Sequence, residues 1–179
     1  MKIKMEENRI IFIQDVYDIS NAIQSILQYN CEDNGIARDT RIPIKIIFNY
    51  CREQSEESEV CYGLANIIKM SNTPIIGIIL HGCVGSCATA FLACEDRLAF
   101  ENSFLILYCN GKSGIEEEEK SARIPISYHI YQQNASFLQD LIGADLHEGF
   151  WYIDNDLALK LKIIRKNIDD IDEILWGIL

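Results

Sequence analysis

The segment Pro74-Ile75-Ile76-Gly77-Ile78-Ile79-Leu80 constrains this chain more than any other. Seven consecutive residues without a charged or hydrogen-bonding side chain fit a strand covered on both faces, and such strands belong to parallel sheets with helices packed against them. The flanking segments supply the partners. Arg9 to Ile13 is a short β-branched run, and Val16, Ile19, Ala22, Ile23, Ile26 and Leu27 follow it at helical spacing. After a polar loop from Asn30 to Arg41, Pro43 to Asn49 reads as a second strand. A helix then opens near Ser55, with Val60, Leu64, Ile67 and Ile68 as its apolar face.

Ser86 to Cys94 carries Cys87, Ala88, Ala90, Phe91 and Ala93, too many small and apolar residues for an amphipathic helix, so this one reads as buried. Arg97 to Phe100 and Phe104 to Tyr108 add two strands around the turn at Glu101-Asn102-Ser103. Alternation of this kind implies a right-handed parallel α/β core, largely built by residue 110. Gly111 to Lys120, with Glu116-Glu117-Glu118-Glu119, reads as a solvated loop or helix start. Ser127 to Ile142 reads as a helical arm whose Ile130, Phe137, Leu138 and Leu141 have no obvious place in the core, which predicts self-association. A helix from Asp154 to Leu161, a short strand from Lys162 to Lys166 and a tail from Ile171 to Trp176 complete the reading. With 179 residues and no repeat or linker, one domain is expected over 1–179, its core at about 9–110 and 151–168 and its arm at about 111–150.

Sixteen basic against twenty-seven acidic residues give a net charge of -11, which repels phosphate backbones and argues against nucleic acid as a partner. No apolar run approaches the ~18 to 20 residues of a membrane span, and residues 1–8 lack the apolar core of a secretory signal. A cytoplasmic protein with no membrane partner is the expectation. Seven scattered cysteines, Cys31, Cys51, Cys61, Cys83, Cys87, Cys94 and Cys109, fit reduced core thiols better than a disulfide framework. Cys83 and Cys87 near His81 form a weak metal-ligand pattern without a second ligand pair, so no metal and no cofactor is expected.

The stretch with most chemistry in it is Ile79-Leu80-His81-Gly82-Cys83-Val84-Gly85-Ser86-Cys87-Ala88-Thr89-Ala90, a strand turning through glycines into a helix at a serine. Backbone N–H groups at a helix start favour developing negative charge, which makes Ser86 a candidate nucleophile. Serine is also among the commonest helix N-caps, so a capping role for Ser86 stands beside the catalytic one.

The order of these segments, with Asp96-Arg97-Leu98-Ala99-Phe100-Glu101-Asn102-Ser103 and Trp151-Tyr152-Ile153, resembles ClpP, the proteolytic subunit of the ATP-dependent Clp protease and a serine peptidase of the crotonase-like fold. The likeness runs from Arg9 to about Ile174. It implies an α/β crotonase-like ClpP fold of repeated strand-strand-helix units, with a shortened helical handle arm. The family's nucleophilic serine falls on Ser86, in Gly82-x-x-x-Ser86, but its histidine position falls on Tyr108 and its aspartate position on Phe150. A phenol with an ordinary pKa of about 10 is a poor general base at neutral pH, and phenylalanine has no carboxylate. The family's glycine turn, part of its oxyanion hole, is replaced after Asn49 by Tyr50-Cys51-Arg52-Glu53. Arg52 and Glu53, with Cys87 after the serine, therefore make up an altered oxyanion region.

The resemblance thus implies a ClpP-like subunit with an incomplete triad and no expected peptidase activity. Such a subunit acts by assembly, as a ring or smaller oligomer, with an active ClpP paralogue or an AAA+ unfoldase as possible partners. Two alternatives remain open at this point. One is an active serine peptidase with a rearranged base drawn from His81, His129 or His147; Glu148, two residues from the aspartate position, has no histidine there to orient. The other is a crotonase-like acyl-CoA enzyme using two backbone N–H groups on a thioester oxyanion. A thiol nucleophile at Cys83 or Cys87 lacks a cationic partner to lower its pKa.

Overall fold

The computed structural model describes residues 8–50, 58–109 and 149–176. Seven strands form one sheet: β1 (Ile10–Ile13), β2 (Ile44–Tyr50), β3 (Ile75–Val84), β4 (Asp96–Phe100), β5 (Phe104–Cys109), β6 (Gly149–Asp154) and β7 (Lys166–Ile168). The main path is β1-β2-β3-β4-β7, all parallel, and β5 pairs in parallel with the far end of β3. Among the described residues only β5 and β6 run antiparallel. Strand β3 spans both parts, pairing through Ile76–Ile79 with β4 and through Gly82–Val84 with β5.

Helices α1 (Val16–Glu32), α2 (Ser58–Met70) and α3 (Ser86–Ala93) cover one face, while α4 (Asn155–Lys160) and α5 (Ile171–Trp176) follow β6 and β7. Asp15 fixes the start of α1: its carboxylate accepts from the N–H groups of Tyr17 and Asp18, and Asp18 returns the bond to the Asp15 N–H. The larger core joins Ile11, Ile13, Ile75 and Ile79 to Ile19 and Ile26 of α1, Leu64 of α2 and Phe91 of α3. The opposite face buries Ile47, Ile78, Leu98 and Ile168 under Ile174 of α5. The apolar run of β3 is thus covered on both sides, as its composition requires. All eight residues of α3 are buried. Gly77 allows this helix to lie close, because a Cβ there would meet Cys94 Sγ at 2.8 Å and Phe91 Cδ2 at 3.0 Å.

Two buried cations, Arg9 and Lys45, tie outer elements to the sheet. Arg9 forks onto Asp33 at 2.6 and 2.9 Å, Thr73 Oγ1 donates to the same carboxylate at 2.6 Å, and the guanidinium lies 4.8 Å from the Tyr29 ring centroid. The start of β1, the end of α1 and the approach to β3 meet there. On the other face the Lys45 ammonium donates to the Ile174 carbonyl of α5. Burial pushes the Lys45 pKa down.

Several boundaries differ from the sequence reading. Helix α1 continues through Glu32 into the expected loop, and β3 continues through His81–Val84, since β5 gives Gly82–Val84 a ladder. The strand expected at Lys162–Lys166 forms at Lys166–Ile168 instead. Ile163 and Ile164 are buried in the turn after α4, their N–H groups bonded to the Ala158 carbonyl. Asp154, read as helical, caps α4 through the Leu157 N–H at 2.9 Å. Gly149 and Phe150, assigned to the arm, open β6, and the tail beyond 168 contributes Ile174 to the core. The rest of the expected arm, including 127–142 with His129 and His147, lies outside the described residues, as does the start of the second helix at Ser55.

The hydrogen bond from Arg9, seconded by Thr73 against the opposing effect of burial, holds the Asp33 carboxyl below the usual carboxylate range. A lowered native pKa adds stability that is complete above the unfolded value of about 3.9 and is lost as pH falls through the native value. Urea unfolding from pH 7 to pH 2 should show this acid limb in wild type and a shallower one in Asp33→Asn. Arg9→Met, which strands the buried carboxylate, is expected to lose about 3 kcal/mol. Gly77→Ala should lose roughly 1–3 kcal/mol by overpacking α3 against β3, read as a shift in urea midpoint.

Candidate active site

The candidate site is built where β3 ends. Relative to β2, two residues beyond Phe48 (opposite Ile79) reach Tyr50 (opposite Cys83), so four steps of β3 face two of β2. This bulge holds Leu80 to Gly82, and bulges re-aim the chain beside functional sites. The ladder then resumes with β5, Val84 pairs with Ile106, and the Gly85 N–H donates to the Ile106 carbonyl at 2.8 Å.

Gly85 has φ 61° and ψ -127°, a region that only glycine enters without strain, and it is the N-cap of α3. Ser86 is therefore the first residue of the helix and not its cap, which corrects the capping alternative. Gly85 provides no side-chain acceptor for the N–H groups that begin α3. Those N–H groups, Cys87 among them, belong to the helix-end donors that suit an oxyanion. Ser86 is 5% exposed.

The register pairs the other two positions with each other. Tyr108 lies two residues past Ile106 on β5, and Tyr108 pairs directly with Phe150 on β6. Positions 108 and 150 thus face each other on β5 and β6, while Ser86 lies just past the end of the β3–β5 ladder, on α3. Arg52 and Glu53 lie outside the described residues; β2 ends at Tyr50, opposite Cys83. Glu148 also lies outside them.

His81 is not brought to the serine. It sits exposed in the bulge with its ring edge-on to Phe104 at 5.4 Å between centroids, where the β3–β5 ladder begins. Roughly 10 Å of strand separate it from Val84, before the turn to Ser86 begins. Phe104 in turn stacks on the exposed Tyr152 at 5.4 Å.

Beneath the turn, Cys61 of α2, Cys83 of β3 and Cys87 of α3 converge with no exposed surface. A hydrogen bond with Cys61 draws the Cys87 pKa down, but the bond with Cys83 and complete burial outweigh it and hold the thiol well above its ordinary range. Burial pushes the Cys94 thiol up to about 12. Neutral, enclosed thiols are neither nucleophiles nor metal ligands. Among the described residues no group of three His, Cys, Asp or Glu is arranged to hold a metal ion. The sequence singled out Cys83 and Cys87 but not Cys61, because helix periodicity gave no sign that it meets them. It also missed Asn49 as a buried acceptor: its Oδ1 is enclosed opposite the bulge with no hydrogen-bond partner among the described residues.

No sequence-family profile matches the chain, and no curated protein does. Solved structures match it over nearly its whole length. ClpP1 from Listeria monocytogenes gives a TM-score of 0.64 at 16% identity, over 94% of this chain and 95% of that one. A peptidase from Plasmodium falciparum gives 0.62 at 14% identity, over 90% and 96%. The chain therefore has a mixed α/β fold of the ClpP kind.

The thiol geometry predicts a labelling pattern. Under native conditions iodoacetamide should modify the exposed Cys31 and spare Cys61, Cys83, Cys87 and Cys94, all of which should react in denaturant. Peptide mass mapping reads the outcome, and native modification of Cys87 would contradict the enclosed cluster.

Proposed function

We propose that this chain is a ClpP-like subunit that does not cleave peptides and acts through assembly, in the cytoplasm, with copies of itself or with an active paralogue. The observation that carries the reading is the strand register: Tyr108 and Phe150, where the ClpP resemblance expects base and orienter, pair directly on β5 and β6, and Ser86, where it expects the nucleophile, begins α3 two residues past the Val84–Ile106 pair. On that resemblance, two of the three triad positions hold side chains unable to do the chemistry. Tyrosine retains its proton at neutral pH, and phenylalanine neither accepts a hydrogen bond nor stabilises an imidazolium. Loss of one triad member in serine proteases costs on the order of 10^4 in rate, and what survives depends on the oxyanion hole. The resemblance sets Arg52 and Glu53 at the positions of the family's glycine turn, where a side chain hinders the close backbone approach that glycine permits.

The test uses a fluorophosphonate probe and a fluorogenic peptide. Wild type and Ser86→Ala should behave alike, without stoichiometric labelling and without cleavage above the buffer blank. Labelling at one probe per chain that disappears in Ser86→Ala would falsify the inactive reading and favour a serine hydrolase with a rearranged base. Sedimentation of the same sample should show oligomers, and a lone 20.5 kDa species at micromolar concentration would remove self-association.

A further inference from the structure

A separate cleft lies at the other end of the sheet. Residues 95–97, which open β4, and residues 159–165, which lead from α4 towards β7, enclose about 350 Å³. Asp96 pairs with Ile76 there, whereas the Ser86 turn follows Val84, about 25 Å further along β3. Leu159, Ile163 and Ile164 contribute apolar lining, and the charged lining is Glu95, Asp96, Arg97, Lys162 and Arg165.

Both acids are already committed. Glu95 is held by Arg38, and Asp96 receives Arg165 Nε and Nη2 at 2.9 and 2.7 Å, which keeps its carboxyl below the usual range. Arg97 and Lys162 are not matched in this way, since among the described residues no carboxylate accepts a hydrogen bond from either side chain. Arg97 Nη1 donates to the Leu92 carbonyl at 2.9 Å, at the end of α3, and burial makes its charged form costly.

Lys162 occupies a position that disfavours it. Its φ is +55°, and the bonds from Lys162 N to Leu159 O at 3.0 Å and from Ile163 N to Ala158 O at 2.9 Å are the two closures of a Schellman turn. Glycine is preferred at that position because a Cβ crowds the adjacent carbonyl. A chain of net charge -11 thus keeps a lysine at a glycine position, and sets four cations, counting Arg38, against two carboxylates around one cleft.

We propose that this cleft binds a small oxyanion, a phosphate or a carboxylate, held by Arg97 and Lys162 with any apolar part of the ligand against Leu159. Charge-assisted bonds to a planar guanidinium and a point-charge ammonium suit either group, and a surface cleft makes the binding sensitive to salt.

The test is an NMR titration of the 15N-labelled full chain at low ionic strength, with inorganic phosphate in one arm and hexanoate in the other. Saturable shifts centred on residues 95–97 and 162–165 are expected. Saturation by phosphate alone identifies a phosphate site, and saturation by hexanoate alone identifies a carboxylate site that uses the apolar lining. Arg97→Gln should weaken binding about ten-fold. Lys162→Gly should do the same while raising the melting temperature, because it removes the charge and relieves the turn; a purely structural lysine would give the second effect without the first. The proposal is overturned if neither probe saturates, or if both variants bind as wild type does.

Discussion

The close approach of α3 to β3 at Gly77 is the constraint on which the rest depends. Phe91 and Cys94 pack where a side chain at 77 would be, so the helix lies flat on the strand it follows. Phe91 also meets Phe48 of β2 edge-on, with centroids 5.6 Å apart, which locks the helix over two strands at once. A rigid seat at this end fixes the helix start at the other, where Gly85 turns the chain and Ser86 begins α3. The cysteines under that turn fill the remaining space as small apolar groups.

The candidate site and the main sheet use β3 differently. Its first half is a fully covered central strand between β2 and β4. Its second half, past the bulge, joins β5 and the antiparallel β6, and this smaller branch carries the positions of interest. The branch has its own anchor: Ser103 Oγ donates to Asn155 Oδ1 at 2.9 Å, and Asn155 Nδ2 donates to the Phe100 carbonyl at 2.6 Å. The β4–β5 turn, with Asn102 at φ 64°, is thereby held to the start of α4. The ladder that carries position 108 is thereby anchored at its Phe104–Asp154 end, independently of which side chain occupies 108.

Much of this was legible in the sequence, for reasons that can be named. The uncharged run at 74–80 is typical of a covered strand, and the small residues of 86–94 suit a buried helix better than an amphipathic one. The order of elements carried the ClpP resemblance. Local pattern failed where tertiary partners decided the outcome. His81 to Val84 read as a turn because of Gly82 and Gly85, yet β5 supplied a ladder that made it strand. Ile163 and Ile164 read as strand because they are β-branched, yet their N–H groups close the turn after α4. Ser86 taken alone read first as a helix cap, and the conformation of Gly85 removes that reading by taking the N-cap position itself, since a residue's φ is not written in its neighbours. The pairing of Tyr108 with Phe150 is a matter of register, which strand composition alone does not specify.

Helix α5 has a bearing on how the chain matures. Six residues are too few to hold helical shape unaided, so α5 depends on Ile174 seating under the sheet and on Lys45 grasping its backbone. During synthesis β2 emerges well before its C-terminal cover. The face bearing Ile47, Ile78 and Leu98 therefore stays wet and adhesive until translation has passed residue 174, and over that interval a nascent chain is open to capture by chaperones or to sticking to its neighbours on a polysome.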